Sequence, residues 1–89
     1  MVTMTAERWE KTESYINVVL GDSWAELEPM RARAKLEGLP DIAVSSGVGQ
    51  ALTFLVRSSQ ARMAVEVGTL GGYSAAWIAR GLTRPEGKL

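Results

Sequence analysis

Residues 65–74 read VEVGTLGGYS and combine a carboxylate, three glycines and a hydroxyl. Glu66 lies in an apolar, strand-like run, where a charge is costly unless a partner compensates it. Glycine allows positive φ and lets a ligand approach the backbone without a Cβ in the way. A helix that begins after the glycines would add unpaired N–H groups and a partial positive charge. The pattern therefore predicts a ligand site in which Gly68 faces the ligand and Ser74 caps the helix or contacts the ligand.

The spacing of the glycines excludes two phosphate-binding motifs. The loop reads GTLGG, which matches neither the G-x-G-x-x-G fingerprint of dinucleotide sites nor a P-loop. No basic residue lies in the loop and an acid precedes it, which favours a ligand of cationic character over a pyrophosphate. S-adenosylmethionine (SAM) is such a ligand, since it carries a sulfonium, an amino group and a carboxylate. Glu66 would face the positive end, and N–H groups near Tyr73 and Ser74 would meet the carboxylate.

Four helices are predicted to position this loop, from apolar residues at helical spacing and from turn residues. They cover residues 6–20, about 24–37, a third segment from Ser45 or Ser46, and a fourth from near Tyr73. Ser23 and Glu26 form a capping-box pattern at the second helix. Pro29 predicts a kink or a restart within that helix, because its ring clashes with the preceding turn.

A strand is predicted at residues 63–67, because a short continuous apolar run is typical of a strand buried on both faces. Lys88 and Leu89 resemble the first residues of another strand. Strand, glycine turn and helix form half of a βαβ unit, so the predicted fold class is α/β, with N-terminal helices before a truncated α/β domain or one that relies on a partner. We expect a helical region at residues 1–40 and the start of the ligand-binding domain at residues 41–89. A self-contained helical bundle with a short strand is the competing interpretation.

Composition limits the class of protein. The 89 residues are 46% hydrophobic and 22% charged with a net charge of zero, which is typical of one small globular domain and gives no electrostatic case for nucleic acid or membrane partners. The absence of cysteine and histidine removes thiolate and imidazole metal ligands. We find no signal peptide and no apolar stretch near the ~20 residues of a membrane span, so a cytoplasmic protein is expected.

Other conspicuous residues have simpler interpretations. The three tryptophans, at positions 9, 24 and 77, are predicted to pack in the core or in a subunit interface. The bases Arg31, Arg33 and Lys35 lie among acids and are predicted to form a solvated face. Glu66 has a structural alternative as the ion-pair partner of Arg62 or Arg80.

The segment VEVGTLGGYSAAWIARGL resembles the first SAM-binding motif of the class I O-methyltransferases of the catechol and caffeoyl-coenzyme A group. The upstream segment GLPDIAVSSGVGQALTFLVR resembles the approach to that motif, and together the two cover about residues 36–89. The resemblance implies a Rossmann-like SAM-dependent methyltransferase fold. It implies these cofactor-binding residues: Val44, Glu66, Gly68, Thr69, Gly72, Tyr73 and Ser74.

The resemblance also implies a reaction, in which a methyl group moves from SAM to a small-molecule hydroxyl held near a divalent ion of the Mg²⁺ type. The family's ribose-binding acid, metal ligands and catalytic residues are expected beyond Leu89, and Glu86 is interpreted as a turn residue. We therefore do not expect the 89-residue chain to be catalytically competent alone.

Several alternatives remain open at this stage. Val44 has a structural alternative as a core residue. Two further functions are a dinucleotide-binding oxidoreductase fragment and an inactive remnant that acts as a helical association module. Homodimerisation is compatible with the sequence.

Overall fold

The computed structural model describes residues 2–20 and 25–89, and helices dominate them. The elements are α1 (Ala6–Leu20), a 3₁₀ turn (Ala25–Leu27), α2 (Glu28–Leu36), α3 (Ser46–Ser58) and α4 (Tyr73–Gly81). The predicted positions of α1, α3 and α4 are confirmed, and α3 has the expected cap, since Ser45 Oγ accepts a hydrogen bond of 3.2 Å from the Val48 N–H. Within the described ranges, no helix has the length and apolar character needed to cross a membrane.

The second predicted helix is divided into the 3₁₀ turn and α2. Pro29 lies in the first turn of α2, where a missing N–H removes no helical hydrogen bond. The predicted restart at Pro29 is thus confirmed to within one residue. Ser23 of the predicted capping box, and Trp24, lie outside the described residues.

The predicted strand at residues 63–67 is not formed. Met63 makes a single parallel bridge with Lys88, in which the Lys88 N–H donates to the Arg62 carbonyl at 3.0 Å and the Ala64 N–H donates to the Lys88 carbonyl at 2.9 Å. A strand needs a partner along its length, and in the described residues this run finds a partner only around Lys88. The direction of pairing is the parallel one that the sequence predicts.

Burial of this run on both faces is also wrong for this chain. Met63, Val65 and Val67 are all exposed, with Val67 at 95%. No strand or helix in the described residues covers the face that Met63, Val65 and Val67 share, whereas Ala64 and Glu66 on the other face are half-buried.

The core lies where α4 meets α2 and the link before α3. Its buried members are Leu27, Tyr73 and Trp77, with Met30, Ala43, Val44 and Ala76 packed against them. Trp77 is 1% exposed, and its ring meets that of Tyr73 edge to face at a centroid distance of 6.3 Å. The core prediction is confirmed for Trp77, whereas Trp9 is 62% exposed and is not a core residue of this chain.

Close packing between α3 and α4 fixes the position of α4. A Cβ added to Gly49 would lie 2.4 Å from Cδ1 of Trp77, and one added to Gly81 would lie 2.8 Å from the Thr53 carbonyl oxygen. The Thr53 hydroxyl donates to the Trp77 carbonyl at 2.6 Å. Glycine at both positions therefore allows the helices to approach, and the turn that precedes α4 is held with it.

Helix α1 is attached to the N-terminus of α3 by polar contacts. The Gly47 N–H donates to Oε1 of Glu13 at 2.7 Å, and the Ser46 hydroxyl donates to Oδ1 of Asn17 at 3.4 Å. The predicted apolar face of α1 is largely exposed, with Val19 at 57%. The contact between these helices is therefore polar rather than apolar.

Candidate ligand-binding site

The candidate site is the turn that leads into α4. Gly68 and Gly72 have φ values of +78° and +86°, and Leu70 also lies in the left-handed region at +52°. The Gly72 N–H donates to the Thr69 carbonyl at 2.9 Å and closes a β-turn. The predicted role of Gly72 in shaping the turn is consistent with its angle, and Gly68 adopts a positive φ that glycine tolerates without strain. A Cβ on Gly68 would meet no atom within 4 Å, so the backbone at this position is open to an approaching group.

Helix α2 forms the wall opposite the turn. A Cβ added to Gly71 would lie 3.2 Å from Cβ of Ala34, and one added to Gly72 would lie 3.3 Å from Cε of Met30. These short distances show that the turn backbone packs directly on α2. A larger residue at either position would push α2 away from the turn.

A cleft of about 200 Å³ lies between α2, the link before α3, and the turn. Five of the seven predicted cofactor-binding residues line it: Val44, Gly68, Thr69, Tyr73 and Ser74. Glu66 and Gly72 do not line the cleft, although both adjoin residues that do. Pockets that enclose a drug-sized ligand are typically ~300–1,000 Å³, so this cleft suits one end of a larger molecule.

Glu66 interacts with Ser74, and only one of its carboxylate oxygens has a partner. The Ser74 hydroxyl donates to Oε2 of Glu66 at 2.5 Å, whereas Oε1 is buried without a hydrogen-bond partner. Of the two bases that the structural alternative offers Glu66, Arg62 lies instead beside Glu86, with its Nε 3.8 Å from Oε1. A buried acceptor without a donor is costly. The Glu66 carboxylate can therefore accept a hydrogen bond from a ligand donor.

The N-terminus of α4 carries partial positive charge, the opposite of the negative charge on the Glu66 carboxylate. Its N-cap is Gly72, which supplies no side-chain cap. The N–H groups in the first turn of a helix have no intrahelical partner and carry partial positive charge. Tyr73 and Ser74 stand in that first turn and line the cleft. This wall of the cleft therefore suits an anionic group.

Arg31 also lines the cleft, and the sequence prediction missed it. Its guanidinium carbon lies 5.1 Å from the centroid of the Tyr73 ring, and its side chain is only 30% exposed. Arg33 and Lys35 have side chains exposed at 80% and 71%, so the predicted solvated face is confirmed for them and wrong for Arg31. No local sequence signal separates these three bases, because the difference arises from how α2 packs on the turn.

The described part of the chain, residues 2–20 and 25–89, contains no group of three acidic, histidine or cysteine side chains that could hold a metal ion.

Comparison with known proteins connects this geometry to one family. A family model described as O-methyltransferase matches residues 10–89. A catechol O-methyltransferase from Mycobacterium tuberculosis (strain ATCC 25618 / H37Rv) is 41% identical over 73 residues, which are 82% of this chain and 32% of that protein. A catechol O-methyltransferase from Niastella koreensis (strain DSM 17620 / KACC 11465 / NBRC 106392 / GR20-10) is 37% identical over 82 residues, which are 91% of this chain and 37% of that protein. The chain thus spans about a third of the length of these curated relatives. No solved structure matches it significantly.

Proposed function

The chain belongs to the O-methyltransferase family, and we propose that it provides the methionine-binding part of a SAM site in an enzyme that methylates a hydroxyl group of a small molecule. The family match supports the resemblance drawn from residues 36–89, and the family implies a Rossmann-like fold. Because both relatives bear the name catechol O-methyltransferase, the proposed acceptor is a phenolic hydroxyl.

The observation that carries the proposal is the unpartnered Oε1 of Glu66 beside the glycine turn. An ammonium group donates strongly to a carboxylate, and a hydrogen bond to a charged group contributes about 1.5–3 kcal/mol. The amino group of SAM would supply this donor. A ligand end without an N–H or O–H donor would leave the oxygen without a partner, and an anionic end would be repelled by it.

The rest of the cleft fits the other groups of the methionine end. Gly68 leaves space for close approach to the backbone, and Val44 and Thr69 line the walls. The first-turn N–H groups of α4 suit the carboxylate. These residues would bind and orient the cofactor, and Ser74 would hold the Glu66 carboxylate in place.

When bound, SAM supplies an electrophilic methyl group on its sulfonium. The part of this chain would be positioning, because a methyl transfer depends on the alignment of the sulfonium with the attacking oxygen. A divalent ion that lowers the pKa of the acceptor hydroxyl is a further element of the proposed reaction. The described residues hold no group of three acidic, histidine or cysteine side chains that could bind such an ion.

A matched pair of glycine variants tests the site. Gly68 and Gly38 both have positive φ, and a Cβ at either would meet no atom within 4 Å. Gly68→Ala and Gly38→Ala should therefore impose similar backbone strain of about 1–2 kcal/mol. In NMR titrations of the ¹⁵N-labelled chain with S-adenosylhomocysteine, residues 66–74 should shift, and only Gly68→Ala should weaken binding, by about tenfold through its Cβ and altered turn.

Two results would contradict the proposal. One is the absence of shifts at residues 66–74 up to the solubility limit of S-adenosylhomocysteine. The other is tighter binding of NAD than of S-adenosylhomocysteine, which would favour the oxidoreductase alternative. The two glycine variants should have similar unfolding free energies, so a change in affinity is separated from a change in folding.

A further inference from the structure

The charged residues of the cleft leave a local positive charge at Arg31. Two bases and one acid line the cleft, namely Arg31, Lys35 and Asp41. Nζ of Lys35 lies 3.6 Å from Oδ2 of Asp41, but both side chains are exposed, at 71% and 60%, so this pair is weak and the lining carries one net positive charge. Among the residues that the structure describes, the acid beside Arg31 is Glu28 at 3.9 Å, and the Glu28 side chain is 56% exposed. Such an exposed pair at the limit of contact distance contributes little.

The contact with Tyr73 places the guanidinium of Arg31 for ligand binding. The guanidinium carbon lies over the ring at 5.1 Å from its centroid, a cation–π distance, and the planar guanidinium carries N–H donors whose geometry matches a carboxylate. Tyr73 is also the first residue of α4. Arg31 and the helix start therefore border the same part of the cleft.

Ser74 is not the donor for an anionic ligand group in this arrangement. A serine hydroxyl has one proton, and that of Ser74 is donated to Oε2 of Glu66. The remaining neutral donors are the first-turn N–H groups of α4. A ligand carboxylate can bind these N–H groups, and Arg31, the less exposed of the two bases on the cleft lining, can add a full positive charge beside them.

We infer that Arg31 binds the carboxylate of the cofactor's amino-acid end and makes the cleft selective for ligands that carry this group. The inference rests on the proposed SAM site and deepens it. Arg31 would bind the carboxylate from the cleft wall, and Glu66, which is joined to that wall through its hydrogen bond with Ser74, would bind the ammonium of the same amino-acid end. A carboxylate on the acceptor molecule is the other source of the same chemistry, and the experiment separates the two.

The test compares ligands with and without the carboxylate in three forms of the full chain: wild type, Arg31→Gln and Arg33→Gln. S-adenosylhomocysteine carries the amino-acid end and 5′-methylthioadenosine lacks it. By NMR titration, Arg31→Gln should bind S-adenosylhomocysteine about tenfold more weakly, as expected for loss of one charge-assisted hydrogen bond at a partly exposed site, with binding of methylthioadenosine unchanged. Arg33→Gln removes the same charge from the exposed side of α2 and should change neither affinity.

The Nε–H resonance of Arg31 gives a second, direct readout. It should shift in wild-type protein on addition of S-adenosylhomocysteine and stay in place with methylthioadenosine. This shift shows whether Arg31 contacts the ligand carboxylate even if methylthioadenosine binds too weakly for its affinity to be measured. Titration with 3,4-dihydroxybenzoate, which carries a carboxylate, and with catechol, which does not, tests the acceptor as the source. Arg31→Gln should leave the difference in affinity between these two compounds unchanged.

Distinct results overturn the inference and the proposed function. Unchanged affinity of Arg31→Gln for S-adenosylhomocysteine, with shifts at residues 66–74 retained, rejects the role of Arg31 and leaves the proposed function intact. Equal losses for both nucleosides would mean that Arg31 acts only by supporting Tyr73. An effect confined to 3,4-dihydroxybenzoate would assign the carboxylate to the acceptor. No shifts with S-adenosylhomocysteine in wild type would reject the site and the inference together.

Discussion

Among single residues, Ser74 and Glu66 make the contact that joins the segment before the turn to the helix after it. The two side chains are eight positions apart, and their hydrogen bond closes across the turn. The contact thus has a structural role whether or not a ligand is bound. It also presents Oε1 of Glu66 in one orientation, which is useful for a binding site because less side-chain freedom remains to be lost.

Ser74→Ala should lower the free energy of unfolding by about 1–3 kcal/mol, because it leaves both oxygens of a half-buried carboxylate without a protein donor. Urea unfolding followed by circular dichroism measures this. Ser58→Ala is the matched control, since the Ser58 hydroxyl donates to the Phe54 carbonyl on the exposed side of α3. Its expected effect is within about 0.5 kcal/mol. Equal losses in the two variants would show that the Ser74 contact contributes no more than a surface hydroxyl.

The need of Glu66 for a partner could be predicted from the sequence, but the partner could not. Ser74 reaches Glu66 only because the turn between them has three left-handed residues, Gly68, Leu70 and Gly72. Glycine at two of these positions predicts such geometry. Leu70 does not, because a residue with a Cβ rarely adopts this conformation and nothing local in the sequence marks it. Arg31 was missed for a related reason, since its role depends on tertiary packing.

At the level of the elements, Gly49 sets the distance between α3 and α4. Glycine inside a helix usually lowers stability by about 1 kcal/mol relative to alanine, so an uncrowded Gly→Ala change would stabilise the protein. At Gly49 the new Cβ would lie 2.4 Å from the Trp77 ring. For Gly49→Ala, helix propensity therefore predicts a rise in the free energy of unfolding, whereas packing predicts a fall.

Gly49→Ala should destabilise the protein by about 1–3 kcal/mol, because overpacking of the buried Trp77 outweighs the gain in helix propensity. The loss should appear as a lower thermal midpoint and as a changed near-UV circular dichroism signal. Gly81→Ala should act in the same direction, since its Cβ would meet the Thr53 carbonyl and the Val56 side chain. A rise in the midpoint of either variant would contradict the close approach of the helices.

Glu13→Ala should loosen the attachment of α1 to α3, because the Gly47 N–H loses its acceptor on the neighbouring helix. Amide hydrogen exchange at Gly47 should become about tenfold faster, corresponding to the loss of one hydrogen bond to a charged acceptor. Glu10→Ala is the control on the same helix, at an exposed position. If the Gly47 amide exchanges at the same rate in both variants, the contact with Glu13 does not hold α1.

The helices could be predicted because their signals are local. Ser45 caps α3, glycine precedes α4 and Pro29 falls in the first turn of α2. Whether residues 63–67 form a strand could not be predicted, because a strand depends on a partner whose presence is not a local property of the sequence. Residues 63–67 have the composition of a buried strand, and their single bridge to Lys88 shows the pairing that this composition favours.

The molecule as a whole exposes more surface than its mass predicts. Its accessible surface is 6619 Å², compared with about 5,100 Å² expected for a folded monomer of this mass. The radius of gyration is 14.4 Å, compared with about 12 Å for a compact domain of this length. Much of the excess is apolar, including Val18, Phe54, Val65 and Val67. The small core around Trp77 is therefore bordered by large uncovered apolar areas.

The double variant Val65→Lys with Val67→Lys should reduce self-association of the isolated chain. Exposed apolar strand-like segments tend to pair with other chains, and lysine opposes such pairing. Sedimentation velocity over a concentration series should show an increase in mass for wild type and a smaller one for the variant. Val18→Lys changes a similarly exposed residue on α1 and should have less effect. Equal behaviour of all three proteins would show that residues 63–67 do not drive association.

The position of Tyr73 has a consequence for spectroscopy. One face of the ring meets Arg31 at the cleft, and the ring is also 6.3 Å from the indole of Trp77 in the core. At this separation, excitation energy absorbed by the tyrosine passes to the tryptophan. The indole is shielded from water at 1% exposure, so its emission lies at shorter wavelength than that of the exposed Trp9. Tyr73 and Trp77 thus form an intrinsic fluorescence donor and acceptor pair beside the cleft. Ligand binding to the cleft is expected to change their fluorescence, so occupancy can be measured without an attached label.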